Sequence, residues 1–164
     1  SDIWAHVLCQ DYMKSQWETQ LENNGQFVMG EVTMALPNQV FQHEKRFEDG
    51  IRLFHTPGHT ADSISVYDED TQLLIVGDNL ELPLIYIENP DIDSYIKSLK
   101  FYESFAIRGL TASHTLLLEV GVIQETILYL ELMKSNKKLH FDDLKMNEVH
   151  QLNHRFIHNN DWIK

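Results

Sequence analysis

Some segments of the chain have the apolar spacing of β-strands, and others have that of helices. Short runs that are apolar, or that alternate between apolar and polar residues, predict β-strands, because successive side chains of a strand point to opposite faces. These predicted strands cover residues 3–8, 27–36, 40–47, 51–55, 64–67, 73–76 and 109–113. Apolar residues at helical spacing predict helices at 11–23, 91–105, 120–133 and 142–158. Strands in the middle with helices at both ends favour an α/β sandwich over an alternating parallel sheet.

The run 73–76 is apolar without interruption, which predicts a strand covered on both faces. The length of 164 residues predicts one compact domain. The apolar runs are far shorter than a bilayer span, so no membrane partner is expected.

The composition argues against one class of partner and indicates the cellular compartment. The chain has 25 Asp and Glu against 13 Lys and Arg, which gives a formal net charge of −12. Such a chain is repelled by polyphosphate, so a nucleic-acid partner is not expected. Cys9 is the only cysteine of the sequence, which excludes an internal disulfide and predicts a reducing, cytoplasmic location.

Three residues at the ends of predicted strands carry the candidate chemistry. The tight turn Thr56-Pro57-Gly58 presents His59, Gly77 precedes Asp78 after an apolar strand, and Ser113 precedes His114 after another strand. Imidazole and carboxylate ligands at strand ends suit a borderline metal such as zinc.

In this order, the motifs Thr-Pro-Gly-His-Thr, Gly-Asp and Ser-His resemble those of the metallo-β-lactamase superfamily, and its glyoxalase-II-like branch more than its nucleases. The resemblance covers residues 3–133. It implies an αββα sandwich with two metals at one edge. Zinc is the expected metal, with iron or manganese as alternatives. His59 would bind the first metal, Asp78 would bridge both, and His114 would bind the second. The implied reaction is hydrolysis of a small ester, thioester or lactone by a metal-bound hydroxide.

The motif His-x-His-x-Asp-His, which supplies the remaining ligands in that family, does not occur in the sequence. Residues 1–135 therefore resemble the C-terminal portion of such a domain, incomplete at the N-terminus, and residues 136–164 are expected to form a helical extension packed on it. Weak or absent metal binding and negligible turnover are expected. Truncation of a longer enzyme is the favoured interpretation. The alternative is a non-catalytic pseudoenzyme, or a ligand-binding or oligomerisation module.

The segment 79–87 follows Asp78 and should border the site, so Asn79 and Tyr86 are predicted to contact a small-molecule substrate. The apolar surplus of this segment and of helix 120–133 predicts packing on a neighbouring helix or a homodimer contact.

His150, His154 and His158 recur on one face of the last predicted helix. The pattern fits a helical zinc pair. It also fits a solvated face opposite a packing face, which is formed by Leu144, Val149, Leu152 and Phe156.

Overall fold

The computed structural model describes residues 1–137 and 139–159. The chain divides into two units, Ser1–His43 and Glu44–Lys164. The domain boundary expected near residue 135 stays a prediction.

The first unit contains two short strands and one long helix. Strand β1 (Trp4–His6) pairs in parallel with β2 (Gln39–Phe41), and helix α1 (Cys9–Asn24) with the 3-10 turn Gly25–Phe27 follows β1. Residues 28–38 form neither helix nor strand, so the strand predicted over 27–36 is wrong. Phe27 and Met29 are 72% and 95% exposed, and alternation alone does not make a strand without a partner to share its hydrogen bonds.

The second unit contains a five-stranded sheet in the order β3-β4-β5-β6-β7. Its strands are β3 (Glu44–Arg46), β4 (Ile51–His55), β5 (Ile64–Asp68), β6 (Leu73–Ile75) and β7 (Gly109–Thr111). The pairing is antiparallel except between β6 and β7, which are parallel. The single strand predicted over 40–47 is instead broken, and its halves belong to different sheets.

Three helices accompany this sheet: α2 (Ile92–Tyr102), α3 (Val122–Lys134) and α4 (Leu144–Asn159). The Asp91 side chain caps α2 by accepting a hydrogen bond from the Ser94 backbone nitrogen at 3.0 Å. The four predicted helices are therefore confirmed, with ends that differ by a few residues.

The core of this unit lies on one face of the sheet. Phe54, Tyr67, Leu74 and Leu110 are buried there together with residues of α2 and α3. Neighbouring positions point the other way because the side-chain period of a strand is two. Ile75 is 39% exposed, so the prediction that strand 73–76 is covered on both faces is wrong in the described structure.

The face through which helix α4 packs differs in part from the predicted one. Val149 and Phe156 are buried as predicted, but Leu144 is 86% exposed. His150 is 5% exposed, and the interpretation of the histidines as a solvated face is wrong for this residue. Among the described residues, none of the helices is both long and apolar enough to cross a bilayer.

Candidate metal centre

The turn that carries His59 is built around a glycine without room for a side chain. A Cβ on Gly58 would lie 2.5 Å from Asn79 Oδ1 and 2.6 Å from the Tyr95 ring. The next backbone nitrogen, that of His59, donates a hydrogen bond to Asn79 Oδ1 at 2.9 Å. The turn after β4 is therefore fixed directly against the segment that follows β6.

Asn79 is the centre of a buried hydrogen-bond network. Its Nδ2 donates to the Thr56 carbonyl at 2.7 Å and to the Tyr102 hydroxyl at 2.9 Å. The Tyr95 hydroxyl donates to the Asn79 carbonyl at 2.9 Å. Asn79 is 0% exposed. This geometry makes it a positioning residue for the His59 turn, and in this structure the predicted contact between its side chain and substrate is not accessible.

The two tyrosines of this network stay neutral. Burial raises the pKa of Tyr95 well above its ordinary value, and the nearby Tyr102, Asp78 and Glu81 raise it further. Burial also raises the pKa of Tyr102, against the lowering effect of its hydrogen bonds to Asn79, Ser65 and Thr56. Both hydroxyls therefore keep their protons and act as fixed partners in the network.

The His59 ring is oriented through one of its nitrogens. Its Nδ1 lies 2.9 Å from the Tyr86 carbonyl oxygen, which can only accept, so Nδ1 carries the proton when this bond forms. Nε2 is then the unprotonated nitrogen of the neutral ring. This is how metal-ligating histidines are commonly oriented. Nε2 lies 3.8 Å from Glu88 Oε2. Tyr86 thus contributes its carbonyl, and a contact of its side chain with substrate stays a prediction.

Asp78 and His114 lie at the ends of neighbouring strands. Asp78 is in the 3-10 turn Gly77–Asn79, and His114 follows β7, the parallel neighbour of β6. The Ser113 nitrogen donates to the Gly77 carbonyl at 3.0 Å and ties the two loops together. His114 Nε2 then lies 3.4 Å from Asp78 Oδ1.

The Asp78 side chain is 40% exposed, but its Oδ1 atom is buried and has no hydrogen-bond partner among the described residues. Buried polar atoms are normally paired, so an unpaired carboxylate oxygen beside an imidazole nitrogen is the donor pair that a divalent metal would satisfy. Asp78 and His114 therefore fit a metal as two of its ligands.

The structure does not bring all three predicted ligands to one point. Asp78 and His114 form a pair, whereas His59 faces Glu88. Within residues 1–137 and 139–159, no three His, Cys, Asp or Glu side chains are grouped so that they could hold one metal. Reasoning from the sequence missed Glu88, an exposed carboxylate on a loop without a motif. It also missed the positioning role of Asn79, whose signal was a polar residue next to a long apolar run.

Part of the chain is similar to a known family. Residues 37–114 match the family model of the Metallo-beta-lactamase superfamily, and this range contains His59, Asp78 and His114. No curated protein matches the chain.

Solved structures share the fold at low sequence identity. An archaeal metallo-beta-lactamase superfamily protein from Sulfolobus tokodaii is 19% identical with a TM-score of 0.62, over 96% of this chain and 70% of that protein. VMB-1 is 16% identical with a TM-score of 0.59, over 78% of this chain and 55% of VMB-1. The DIM-1 metallo-beta-lactamase gives a TM-score of 0.58 at 16% identity, over 79% of this chain and 57% of DIM-1. The chain thus spans little more than half the length of VMB-1 and DIM-1.

At these identities the likeness concerns the fold. The predicted α/β fold of metallo-β-lactamase type is confirmed. Residues 37–114 are thus similar to the family model of the Metallo-beta-lactamase superfamily, and the structural neighbours share its fold.

Proposed function

We propose that this chain carries part of the metal site of a metal-dependent hydrolase of the glyoxalase-II-like branch. In this proposal, Asp78 and His114 bind a metal, with His59 as a further ligand. The observation that carries the proposal is the buried Asp78 Oδ1, which has no hydrogen-bond partner among the described residues and lies 3.4 Å from His114 Nε2.

The surroundings of Asp78 suit a bound cation. The Oδ1 atom is buried without a hydrogen bond although the side chain as a whole is 40% exposed, so leaving this atom unpaired costs no more than about 1 kcal/mol. Folded chains keep such a cost mainly where function requires it. Zinc, or iron or manganese in its place, would supply a Lewis acid that activates water and polarises the bond to be hydrolysed.

The protein residues have separate tasks in this proposal. Asp78 would offset the charge of a bound metal, and His114 Nε2 would supply a neutral ligand. The Tyr86 carbonyl keeps the proton on Nδ1 of His59, so that Nε2 remains available. Glu88 lies 3.8 Å from that nitrogen and would have to release it for His59 to join the site. With so few ligands, turnover by this chain alone is expected to be negligible.

The substrate class follows from charge and from the family. An acidic chain is poorly suited to a polyanionic substrate, which favours a small ester, thioester or lactone. Tyr86 borders the site and is proposed to contact this substrate. A cytoplasmic location and a homodimer remain part of the same proposal.

Zinc titration of the purified chain, followed by calorimetry and elemental analysis after desalting, tests the site. We expect the wild-type chain to bind about one zinc ion, and Asp78→Asn and His114→Ala each to weaken that binding at least tenfold. His43→Ala removes an exposed histidine elsewhere in the chain and should bind zinc like the wild type. Equal zinc binding by all four proteins would contradict the proposal.

A non-catalytic module on the same scaffold is the second candidate. It is favoured by one observation, that the described residues contain no group of three metal-binding side chains. Addition of a segment that carries His-x-His-x-Asp-His separates the candidates. Thioester or lactone hydrolysis restored by that addition, and lost again in Asp78→Asn, supports the enzyme. Complete absence of hydrolysis despite bound zinc supports the module.

A further inference from the structure

A concave surface apart from the candidate metal centre lies within Glu44–Lys164. A cavity of about 360 Å³ opens between α3, the loop that follows Asp78 and the segment before α4. This volume falls in the range of about 300–1,000 Å³ that is typical of small-molecule sites. None of His59, Asp78 and His114 lines the cavity, so the inference does not depend on the proposed metal site.

The walls of the cavity are mainly apolar. They include Leu84, Ile85, Val122, Leu132, Phe141 and Met146. An apolar body placed there would be removed from water, at a gain of roughly 25 cal/mol for each Å² of apolar surface buried. The aromatic ring of Phe141 favours a flat body over a branched one.

Most polar groups in the wall are already engaged. The Thr126 hydroxyl donates to the Val122 carbonyl at 2.8 Å, and the Tyr129 hydroxyl accepts from Asn153 Nδ2 at 3.0 Å. Recognition of a polar end therefore depends mainly on the two acidic residues in the lining, Glu81 and Glu125.

Apart from His140, the titratable side chains of the lining that can carry a charge near neutral pH are the two carboxylates. Neither acidic side chain forms a salt bridge with a lysine or arginine in the part of the chain that the structure describes, and no such basic residue lines the cavity there. Glu81 is half-buried and Glu125 is exposed, and together these two carboxylates attract a cation to the cavity and repel an anion. Fatty acids and other apolar anions are thus disfavoured as ligands.

We propose that this cavity binds a small amphipathic molecule with a flat apolar body and a single cationic head, of the aryl-alkyl-ammonium class. The apolar body lies against Phe141, Val122 and Leu132, and the ammonium group lies between Glu81 and Glu125. The proposal adds a second binding site to a fold whose candidate chemistry lies at the strand ends.

Three ligands with the same two-ring body and different charge provide the test: 2-naphthylmethylammonium, 2-naphthylmethanol and 2-naphthoate. Binding is followed by ligand-observed NMR and by chemical-shift mapping on the isotope-labelled chain. We expect the ammonium compound to bind at least tenfold more tightly than the carboxylate, with the neutral alcohol between them. The largest shifts should fall on residues 81–85 and 122–129.

The charge variants decide whether the two carboxylates cause this preference. In Glu81→Gln/Glu125→Gln the ammonium compound should bind no better than the alcohol. The control Glu119→Gln/Glu148→Gln removes the same charge from exposed positions outside the cavity and should leave the preference unchanged. Leu128→Trp, at a lining position that is 57% exposed, should weaken all three ligands. If Leu128→Trp does not fold, the two charge variants still decide whether Glu81 and Glu125 cause the preference for the ammonium compound.

Three results would overturn the proposal: equal affinity for the three ligands, equal effects of the two charge variants, or shifts that fall away from the cavity. Absence of binding at the solubility limit of the ammonium compound would overturn it as well.

Discussion

The turn that carries His59 and the loop pair that carries Asp78 and His114 differ in how completely their polar groups are paired. In the first, the His59 nitrogen, the Asn79 side chain and the tyrosine hydroxyls all have partners at 2.7–2.9 Å. In the second, a buried Asp78 oxygen has no hydrogen-bond partner among the described residues, and the nearest imidazole nitrogen is 3.4 Å away.

This difference separates the positioning network around Asn79 from the pair that is proposed to bind the metal. The Asn79 network holds the turn through groups that the fold itself supplies, so it is complete without a ligand. The Asp78–His114 pair is where the proposed metal would bind, because it contains a buried polar atom without a hydrogen-bond partner among the described residues. Changes to the first region should therefore cost stability, and changes to the second should mainly cost metal binding.

The largest effect on the free energy of unfolding is expected from Asn79→Ala. It removes the acceptor of the His59 nitrogen and the donor to Thr56 and Tyr102, and leaves buried partners unpaired. We expect the free energy of unfolding to fall by about 3 kcal/mol, because each orphaned buried group costs about 1–3 kcal/mol. Urea denaturation followed by circular dichroism measures this. Asn89→Ala, which removes one exposed hydrogen bond, is the control, and an equal loss in both variants would contradict the role of the network.

A somewhat smaller loss is expected from Gly58→Ala. The added Cβ would come within 2.6 Å of both Asn79 Oδ1 and the Tyr95 ring, and overpacking of this kind costs about 1–3 kcal/mol. Gly121→Ala is the matched control, since a Cβ there would meet nothing within 4 Å. The melting temperature should fall in the first variant and stay near the wild-type value in the second. Equal melting temperatures would mean that the turn is not packed as described.

His150 extends the comparison to a buried histidine outside the candidate site. Its ring lies 3.3 Å from the Tyr129 hydroxyl and contacts Phe141 and His154. Burial lowers the pKa of His150, and the neighbouring His154 lowers it further. Below the ordinary value of 6.5 the unfolded chain therefore binds a proton that the folded chain does not.

The sign of the pH effect follows from this difference. Stability should be fully present above pH 6.5 and decrease as the pH falls from there towards the lowered pKa. Urea denaturation at several pH values should show a shallower decrease for His150→Gln than for the wild type. His43→Gln, at an exposed position, should keep the wild-type decrease. An unchanged pH dependence in His150→Gln would exclude this histidine as its source.

The strand-end placement of Asp78 and His114 could be predicted from the sequence because local signals set it. Gly77 ends an apolar run directly before Asp78, and parallel neighbouring strands such as β6 and β7 bring their ends to the same edge of a sheet. The orientation of Asn79 could not be predicted, since it depends on the 3-10 turn that begins at Gly77. The Gly77 φ of 59° has no counterpart in apolar periodicity.

Other predictions failed because they depended on partners distant in the sequence. The alternating residues 27–36 lack a neighbouring strand, and Ile75 lacks cover on its face of the sheet within the described residues. The packing of His150 against Tyr129 depends on how α3 and α4 meet, which the helical spacing of the histidines does not determine. Local patterns thus predicted the elements, and tertiary contacts decided their faces.

The smallest effect on stability, and the one of opposite sign, is expected from Asp78→Asn. The substitution replaces a carboxylate that is 40% exposed, with one buried oxygen that has no hydrogen-bond partner in the described structure, with a neutral amide of similar size, so the folded state should gain less than about 1 kcal/mol. Differential scanning calorimetry without metal should show a slightly higher melting temperature for Asp78→Asn than for the wild type. Asp70→Asn, at an exposed turn position, should keep the wild-type melting temperature. Added zinc should raise the melting temperature of the wild type and leave that of Asp78→Asn unchanged, because only a ligand that binds the folded state stabilises it.

Destabilisation of Asp78→Asn by as much as Asn79→Ala would mean that the Asp78 oxygen is paired in solution. The distinction between a complete scaffold and an incomplete metal site would then be lost.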